Sequence, residues 1–184
     1  AADSSFDNRW QRMDDTIETM RRIWRGEPPW DGAIAPVGPE PVQAGGPPIF
    51  TSASGPRALA RAARWADGWV GSNMSADTQA MKAEIAAHLD AWEQAGRSER
   101  PYLVNSLWFA LGDNAQKRLD DGAAAYLRRP PGSTPWGRLP AHGPEGVKMA
   151  VENCQEAGFD ELIFVPLTDD LEELDRLEAC LVDY

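Results

Sequence analysis

Short apolar segments alternate along this chain with patterns typical of α-helices. Strands that alternate with helices predict parallel strands joined by right-handed crossovers, because the chain must return to the starting end of the sheet before it can form the next parallel strand. The third apolar segment, residues 102–111, is apolar almost throughout, which indicates a strand buried on both faces. The predicted strands are residues 49–52, 67–72, 102–111 and 161–167, and the predicted helices among and after them are 56–65, 77–95, 113–129, 145–157 and one capped by Asp169 or Asp170.

A long amphipathic helix is predicted ahead of the first strand, over residues 6–25. Its apolar residues recur at alternating spacings of four and three, which places them on one side of a helix. Gly26 and the prolines after it end the helix, and residues 27–46 form a connector without periodicity. Connectors of that length are usually functional or mobile. The apolar stripe consists of Phe6, Trp10, Met13, Ile17, Met20 and Trp24.

The chain of 184 residues has a formal net charge of −11. Such a charge argues against a nucleic-acid-binding face and against attachment to an anionic membrane. The sequence has no long apolar run and no signal-peptide pattern, so we expect a cytoplasmic protein. Cys154 and Cys180 fall on the apolar sides of predicted helices and are expected to be reduced core thiols. His88 and His142 lie far apart, so no metal site is expected.

The loop between the first predicted strand and its helix is the strongest candidate site. It reads Ser52-Ala53-Ser54-Gly55, and Pro56 then begins the helix. Small residues allow a phosphate to approach backbone N–H groups, and the Ser54 hydroxyl is a further donor. The alternative is that this segment serves only as a cap and a turn.

Other polar residues are weaker candidates. Ser72 and Asn73 follow the second predicted strand and would face the same edge of the sheet, although an ordinary polar loop explains them equally well. The last predicted strand is followed by several carboxylates, which disfavours a phosphate there. His88 is expected to be a hydrogen-bonded structural histidine, and His142 is not expected to take part in chemistry. No residue stands out as a general acid or base.

Four segments of this chain resemble the luciferase-like family of flavin- and deazaflavin-dependent oxidoreductases. The first runs from Phe6-Asp7-Asn8-Arg9-Trp10 to the Ile23-Trp24 pair that precedes Gly26, and the second is Pro41-Val42-Gln43 with Gly46-Pro47-Pro48-Ile49. The third runs from Ala58-Leu59 to Ala66-Asp67-Gly68-Trp69, and the fourth is Ala157-Gly158-Phe159-Asp160-Glu161-Leu162. Residues 113–142 are the least similar.

The resemblance implies a (β/α)8 barrel of the TIM type, with this chain as its C-terminal half. Residues 1–184 would then be one domain that starts at the helix after the fourth strand and holds four strands. In related deazaflavin enzymes the loop after the fifth strand holds the cofactor phosphate with backbone amides, which implicates Ser52, Ala53, Ser54 and Gly55. Ser72 and Asn73 would contact cofactor or substrate.

The function implied by the resemblance is hydride transfer between a deazaflavin coenzyme of the F420 type, or FMN, and a small organic substrate. The deazaflavin is favoured because the loop resembles those enzymes. Half a barrel leaves sheet edges and one apolar face open. A non-catalytic half-barrel that forms a homodimer, or that pairs with a separate N-terminal half, is therefore the main alternative. An unrelated phosphate-binding α/β module is a third possibility.

Overall fold

The computed structural model describes residues 6–130, 133–182 and 184. The chain divides into two compact units, Ala1–Ile49 and Phe50–Tyr184. The single domain expected over residues 1–184 stays a prediction. No helix among the described residues is long and apolar enough to cross a membrane.

The first unit contains the predicted amphipathic helix. A 3-10 turn over Phe6–Asn8 leads into helix α1, Arg9–Trp24, and only Ile17 of the apolar stripe is fully buried. Phe6 and Trp10 are exposed, and the guanidinium of Arg9 lies 3.8 Å from the centre of the Phe6 ring. Residues 27–46 contain no helix or strand, as the sequence predicts.

The second unit is built on a four-stranded parallel sheet. Its strands are β1 (Phe50–Thr51), β2 (Gly68–Gly71), β3 (Tyr102–Phe109) and β4 (Glu161–Pro166), in that spatial order. Each strand pairs in parallel with the next one along the chain. The predicted parallel α/β fold is therefore confirmed.

Helices occupy the segments between and after these strands where the sequence predicts them. Helix α3 begins after Asp77, whose side-chain oxygen accepts a hydrogen bond of 2.7 Å from the Ala80 N–H. Helix α5 ends at Gly158, which takes a left-handed conformation. The helices are α2 (Pro56–Ala62), α3 (Thr78–Gln94), α4 (Ala115–Leu127), α5 (Gly143–Ala157) and α6 (Glu172–Cys180).

The helix start predicted at Asp113 is corrected, whereas the capping side chain predicted at the Asp169-Asp170 pair is present, one residue ahead of the N-cap position. Asn114, in a left-handed conformation, is the N-cap of α4, because the Asn114 carbonyl accepts the first helical hydrogen bond, from the Arg118 N–H. Leu171 is the N-cap of α6, although the Asp170 side chain still accepts a hydrogen bond from the Glu172 N–H.

The two faces of the sheet have different environments. Asn105 of β3 contacts Met81 of α3 and Cys154 of α5, so its side chain lies on the helix-covered face. Successive side chains of a strand alternate between faces, which puts Trp108 on the opposite face. Ile163 lies on that opposite face too and is exposed. Cys154 and Cys180 are both buried, as expected.

Gly122 in the middle of α4 has a packing role. The sequence suggests only that this glycine weakens the helix. In the structure, a Cβ at residue 122 would lie 2.8 Å from the Leu167 carbonyl oxygen and 2.7 Å from the Leu167 Cβ. Glycine thus allows α4 to contact the backbone that follows β4.

Candidate functional site

The loop between β1 and α2 is held by two local hydrogen bonds. The Ala53 N–H donates to Thr51 Oγ1 over 3.1 Å, and the Leu59 N–H donates to the Gly55 carbonyl over 3.0 Å. Gly55 has φ 79° and ψ 154°, a conformation that is strained for any residue with a side chain. Pro56 then occupies the first turn of α2, where a missing N–H costs no hydrogen bond. The loop is therefore a sharp turn that only glycine permits.

The loop after β2 lies at the same edge of the sheet, because carboxyl ends of parallel strands share an edge. Asn73 is anchored there through its backbone N–H, which donates to Asn105 Oδ1 over 2.9 Å. Its side-chain amide donates to Glu84 Oε1 over 3.3 Å and accepts from the Ser75 hydroxyl over 2.7 Å. The Asn73 side chain thus already has protein partners.

A cavity of about 300 Å³ lies between these two loops and helix α3. It brings together five of the six residues that the sequence nominates, namely Ser52, Ala53, Ser54, Gly55 and Ser72. Asn73 is not part of the lining. The remaining lining residues are Leu59, Trp69, Val70, Gly71, Glu84, Ala87 and His88.

His88 lines this cavity from α3 and is only 4% exposed. Its Nδ1 lies 2.8 Å from the Glu84 carbonyl oxygen, and its ring stacks on Trp69. This arrangement agrees with the structural role that the sequence suggests. Among the described residues, His88 Nε2 has no hydrogen-bond partner.

The cavity contains donors suited to an anion but no cationic side chain. Its lining includes Ser52, Ser54 and Ser72, whose hydroxyls are donors. Glu84 is its one acidic residue, whereas the Ala53 N–H is already bonded to Thr51 Oγ1. Any anion bound there would depend on the loop rather than on a lysine or arginine. No group of three or more His, Cys, Asp or Glu side chains within residues 6–130, 133–182 and 184 is arranged to hold a metal ion.

The carboxyl end of β4 holds a network of charges that are already paired. Glu173 is fully buried and accepts hydrogen bonds from the Leu111 N–H at 2.7 Å and from Arg118 at 2.6 Å. Arg176 bonds Asp170 at 2.8 Å and also contacts Glu173. The Arg176 hydrogen bond, with help from the Glu172 N–H, holds the pKa of Asp170 below its usual value. Arg118 and Arg176 at this end are therefore already paired with carboxylates.

His142 lies at the carboxyl end of β3, where it pairs with Ala110 as an isolated bridge. It lines a second cavity, of about 570 Å³, together with residues of the first turns of α4. Burial, and to a lesser extent the charge of Arg138, lowers the pKa of His142. His142 is not among the residues that line the cavity between the loops after β1 and β2.

The family model of luciferase-like monooxygenases matches residues 2–158 of this chain. The chain belongs to that family. No curated protein matches the sequence.

Three solved luciferase-like structures share the fold of this chain. Monooxygenase RslO1 from Streptomyces bottropensis superimposes with a TM-score of 0.66 at 19% identity, over 97% of this chain and 61% of that protein. An F420-dependent secondary alcohol dehydrogenase in complex with an F420–acetone adduct superimposes with a TM-score of 0.65 at 12% identity, over 96% of this chain and 62% of that protein. Riboflavin lyase RcaE, with modified FMN and riboflavin, superimposes with a TM-score of 0.61 at 16% identity, over 98% of this chain and 58% of that protein. The chain thus spans about three fifths of the length of these structures.

The sequence identifies the two loops of the cavity but not its α3 wall. Trp69 and His88 follow strand and helix patterns that indicate core packing. Glu84 precedes His88 by one helical turn, so the same side of α3 carries both residues. That spacing is the signal that could have added Glu84 to the candidate site.

Proposed function

We propose that this chain is the part of a luciferase-like oxidoreductase that binds the phosphate end of its cofactor. Ser52, Ala53, Ser54 and Gly55 would hold the phosphate, with Ser72 across the cavity from them. Asn73 does not line the cavity, and it would contribute by holding the side chain of Glu84, which does. The single observation that carries this proposal is the cavity shared by the loops after β1 and β2.

The chemistry of the cavity fits a phosphate better than it fits a ring. Hydroxyl and amide donors suit phosphate oxygens, and the turn at Gly55 has no side chain to obstruct them. A volume of about 300 Å³ is at the lower limit for a ligand pocket. The flavin or deazaflavin ring would therefore lie outside it, over the carboxyl ends of the strands.

When bound, the cofactor would supply the hydride chemistry, and the complete enzyme would exchange a hydride with a small organic substrate. The residues of this chain would bind and orient the cofactor. The buried Trp69–His88 pair would exclude water from the cavity floor. None of the described residues is assigned a proton-transfer role.

The proposed phosphate site would accept either cofactor class of the family. FMN and the F420 deazaflavin both carry a phosphate on a ribityl chain, and the structural relatives include proteins with each. We favour the deazaflavin because the Ser-Ala-Ser-Gly-Pro loop resembles the loop of those enzymes. FMN remains the alternative within the same site.

Cofactor titrations of the purified chain test the proposal. FMN and F420 are each titrated by fluorescence into the wild type, Ser54→Ala and the control Ser98→Ala, since Ser98 is exposed and lies outside the cavity. We expect saturable binding of one cofactor, weakened about tenfold in Ser54→Ala only, because a hydrogen bond to a charged group is lost. Absence of binding for both cofactors, or equal affinities in all three proteins, would contradict it.

A non-catalytic half-barrel is the second candidate, and the exposed apolar Ile163 on the open face of the sheet favours it. Such a protein would associate through that face, as a homodimer or with a separate N-terminal half. Size-exclusion chromatography with cofactor present distinguishes the two functions. A cofactor-free dimer that Ile163→Asp dissociates would support association, and a chain that binds cofactor would support the oxidoreductase.

A further inference from the structure

Three aromatic side chains cluster on the sheet face opposite α3 and α5. Trp108 of β3 lies at the centre, with its ring centroid 5.2 Å from that of Tyr126 and 5.6 Å from that of Trp136. Both contacts are edge-to-face, at interplanar angles of 69° and 88°. Trp108, Tyr126 and Trp136 are called the aromatic cluster below.

The aromatic cluster lies near the edge of the sheet that holds the candidate cofactor site. Trp108 is the next-to-last residue of β3, whereas Gly71, the last residue of β2, pairs with Asn105. Three residues of strand rise and one strand spacing separate Trp108 from Gly71, which amounts to about 11 Å. A compound bound at the cluster would therefore lie near the same edge of the sheet as a cofactor whose phosphate is bound beside Ser72.

The outer members of the cluster present ring surface to solvent. Trp108 is 9% exposed, but Trp136 is 39% exposed and Tyr126 is 71% exposed. Trp108 thus supports two rings whose surfaces are available to a partner. Contiguous exposed apolar surface marks binding sites, and aromatic rings contribute large, flat contact areas to them.

The segment that carries these rings is basic in an acidic protein. Residues 122–144 contain three arginines and no aspartate or glutamate, although the whole chain has a net charge of −11. Arg128 and Arg129 are exposed, and neither side chain has an ion pair or hydrogen bond to another described residue. The third, Arg138, bonds the neutral Gln116 side chain. The local charge therefore favours an anion.

We propose that the aromatic cluster, with Arg128 and Arg129, binds a small aromatic anion, such as an aromatic carboxylate. This inference rests on the proposed function and names its substrate class. Flat rings stack on exposed indole and phenol surfaces, and guanidinium groups bind carboxylates through paired hydrogen bonds. An aliphatic acid would lack the first interaction and a neutral aromatic compound the second.

Calorimetric titration with three probes tests the aromatic-anion site. The probes are 2-naphthoate, the uncharged 2-naphthylmethanol and the non-aromatic cyclohexanecarboxylate. We expect 2-naphthoate to bind at least about tenfold more tightly than either other compound. Failure of 2-naphthoate to bind, or equal affinities for the three probes, would overturn the proposal.

Matched variants locate the binding. We expect Trp136→Leu and Arg129→Gln each to weaken 2-naphthoate about fivefold to tenfold, and Arg129→Gln to leave 2-naphthylmethanol unchanged. Trp30→Leu and Arg12→Gln, exposed residues of the first unit, are the controls. Tyr126→Ala covers the case in which Trp136→Leu does not fold, because the Tyr126 side chain is mostly exposed. Equal 2-naphthoate affinities in the wild type and in the cluster variants would overturn the proposal.

Cofactor titrations on the same samples separate this inference from the proposed function. A chain that binds FMN or F420 but shows no preference for 2-naphthoate would overturn the aromatic-anion site alone. A chain that binds 2-naphthoate at the aromatic cluster but neither cofactor would overturn the proposed function and support the site.

Discussion

The imidazole of His88 lies stacked on the indole of Trp69, with ring centroids 3.7 Å apart and 27° between the ring planes. Trp69 belongs to β2 and His88 to α3, so the pair joins the sheet to the helix beneath the candidate site. A 2.8 Å contact between His88 Nδ1 and the Glu84 carbonyl oxygen holds the ring in place. The floor of the cavity therefore depends on this pair.

Removal of the His88 ring should destabilise the second unit. His88→Ala leaves a void beside Trp69 and removes the contact with Glu84, and we expect it to lower the free energy of unfolding by about 2–4 kcal/mol. Urea denaturation monitored by circular dichroism measures this change. Leu89→Ala is the control. Leu89 is next to His88 in the sequence and its side chain is partly exposed, so this substitution should lower the free energy of unfolding by less than about 1.5 kcal/mol. A cost for His88→Ala no larger than that of the control would show that the pair is not structural.

Glu173 should be essential for the stability of the carboxyl end of β4. Its buried carboxylate accepts from the Leu111 N–H and from Arg118, so Glu173→Ala leaves the buried Leu111 N–H without its partner and removes the buried half of the Arg118 ion pair. We expect a loss of about 3–5 kcal/mol in unfolding free energy, measured by urea denaturation. Glu172→Ala, which removes a mostly exposed carboxylate from the same helix, should change stability by less than about 1 kcal/mol. Similar losses for the two variants would contradict the network.

Asp170 should make stability depend on pH on the acid side. Its pKa is lowered in the folded protein, chiefly by the hydrogen bond from Arg176, so the unfolded chain binds the proton more tightly. The contribution is present above the usual aspartate pKa of about 3.9 and is lost as the pH falls through the lower folded value.

Thermal unfolding measured from pH 7 to about pH 3 tests the effect of Asp170. We expect the melting temperature of Asp170→Asn to decline less steeply below about pH 4 than that of the wild type. Asp121→Asn is the control, since its carboxylate pairs with Lys117 on the exposed surface of α4. Identical acid-side slopes for the wild type and Asp170→Asn would contradict the assignment.

The sequence predicts the elements of this fold well because each has a local signal. The near-continuous apolar run of β3 and the Asp77 cap of α3 are set by neighbouring residues. The start of α4 is different, since Asn114 takes a left-handed conformation that no local rule assigns to it over Asp113. The role of Gly122 cannot be inferred from its own helix, because the residue that a side chain there would meet is Leu167, far along the chain.

The candidate site is predicted in part for the same reason. Ser52, Gly55 and Ser72 follow strands whose parallel order places them at one edge, so a sequence pattern can bring them together. The aromatic cluster cannot be predicted in this way, because Trp136 lies in a loop without periodicity. Its approach to Trp108 depends on the path of the chain between α4 and α5.

The most direct test of the phosphate site compares FMN with riboflavin, which lacks the phosphate. If the Ser52–Gly55 loop holds the phosphate, the wild type should bind FMN at least about tenfold more tightly than riboflavin. Gly55→Ala should abolish that preference, because its backbone conformation excludes a side chain. Gly96→Ala, which has a similar positive φ of 74° and lies outside the cavity, should retain it. Equal affinities of the wild type for FMN and riboflavin, or a preference that survives in Gly55→Ala, would contradict the phosphate site.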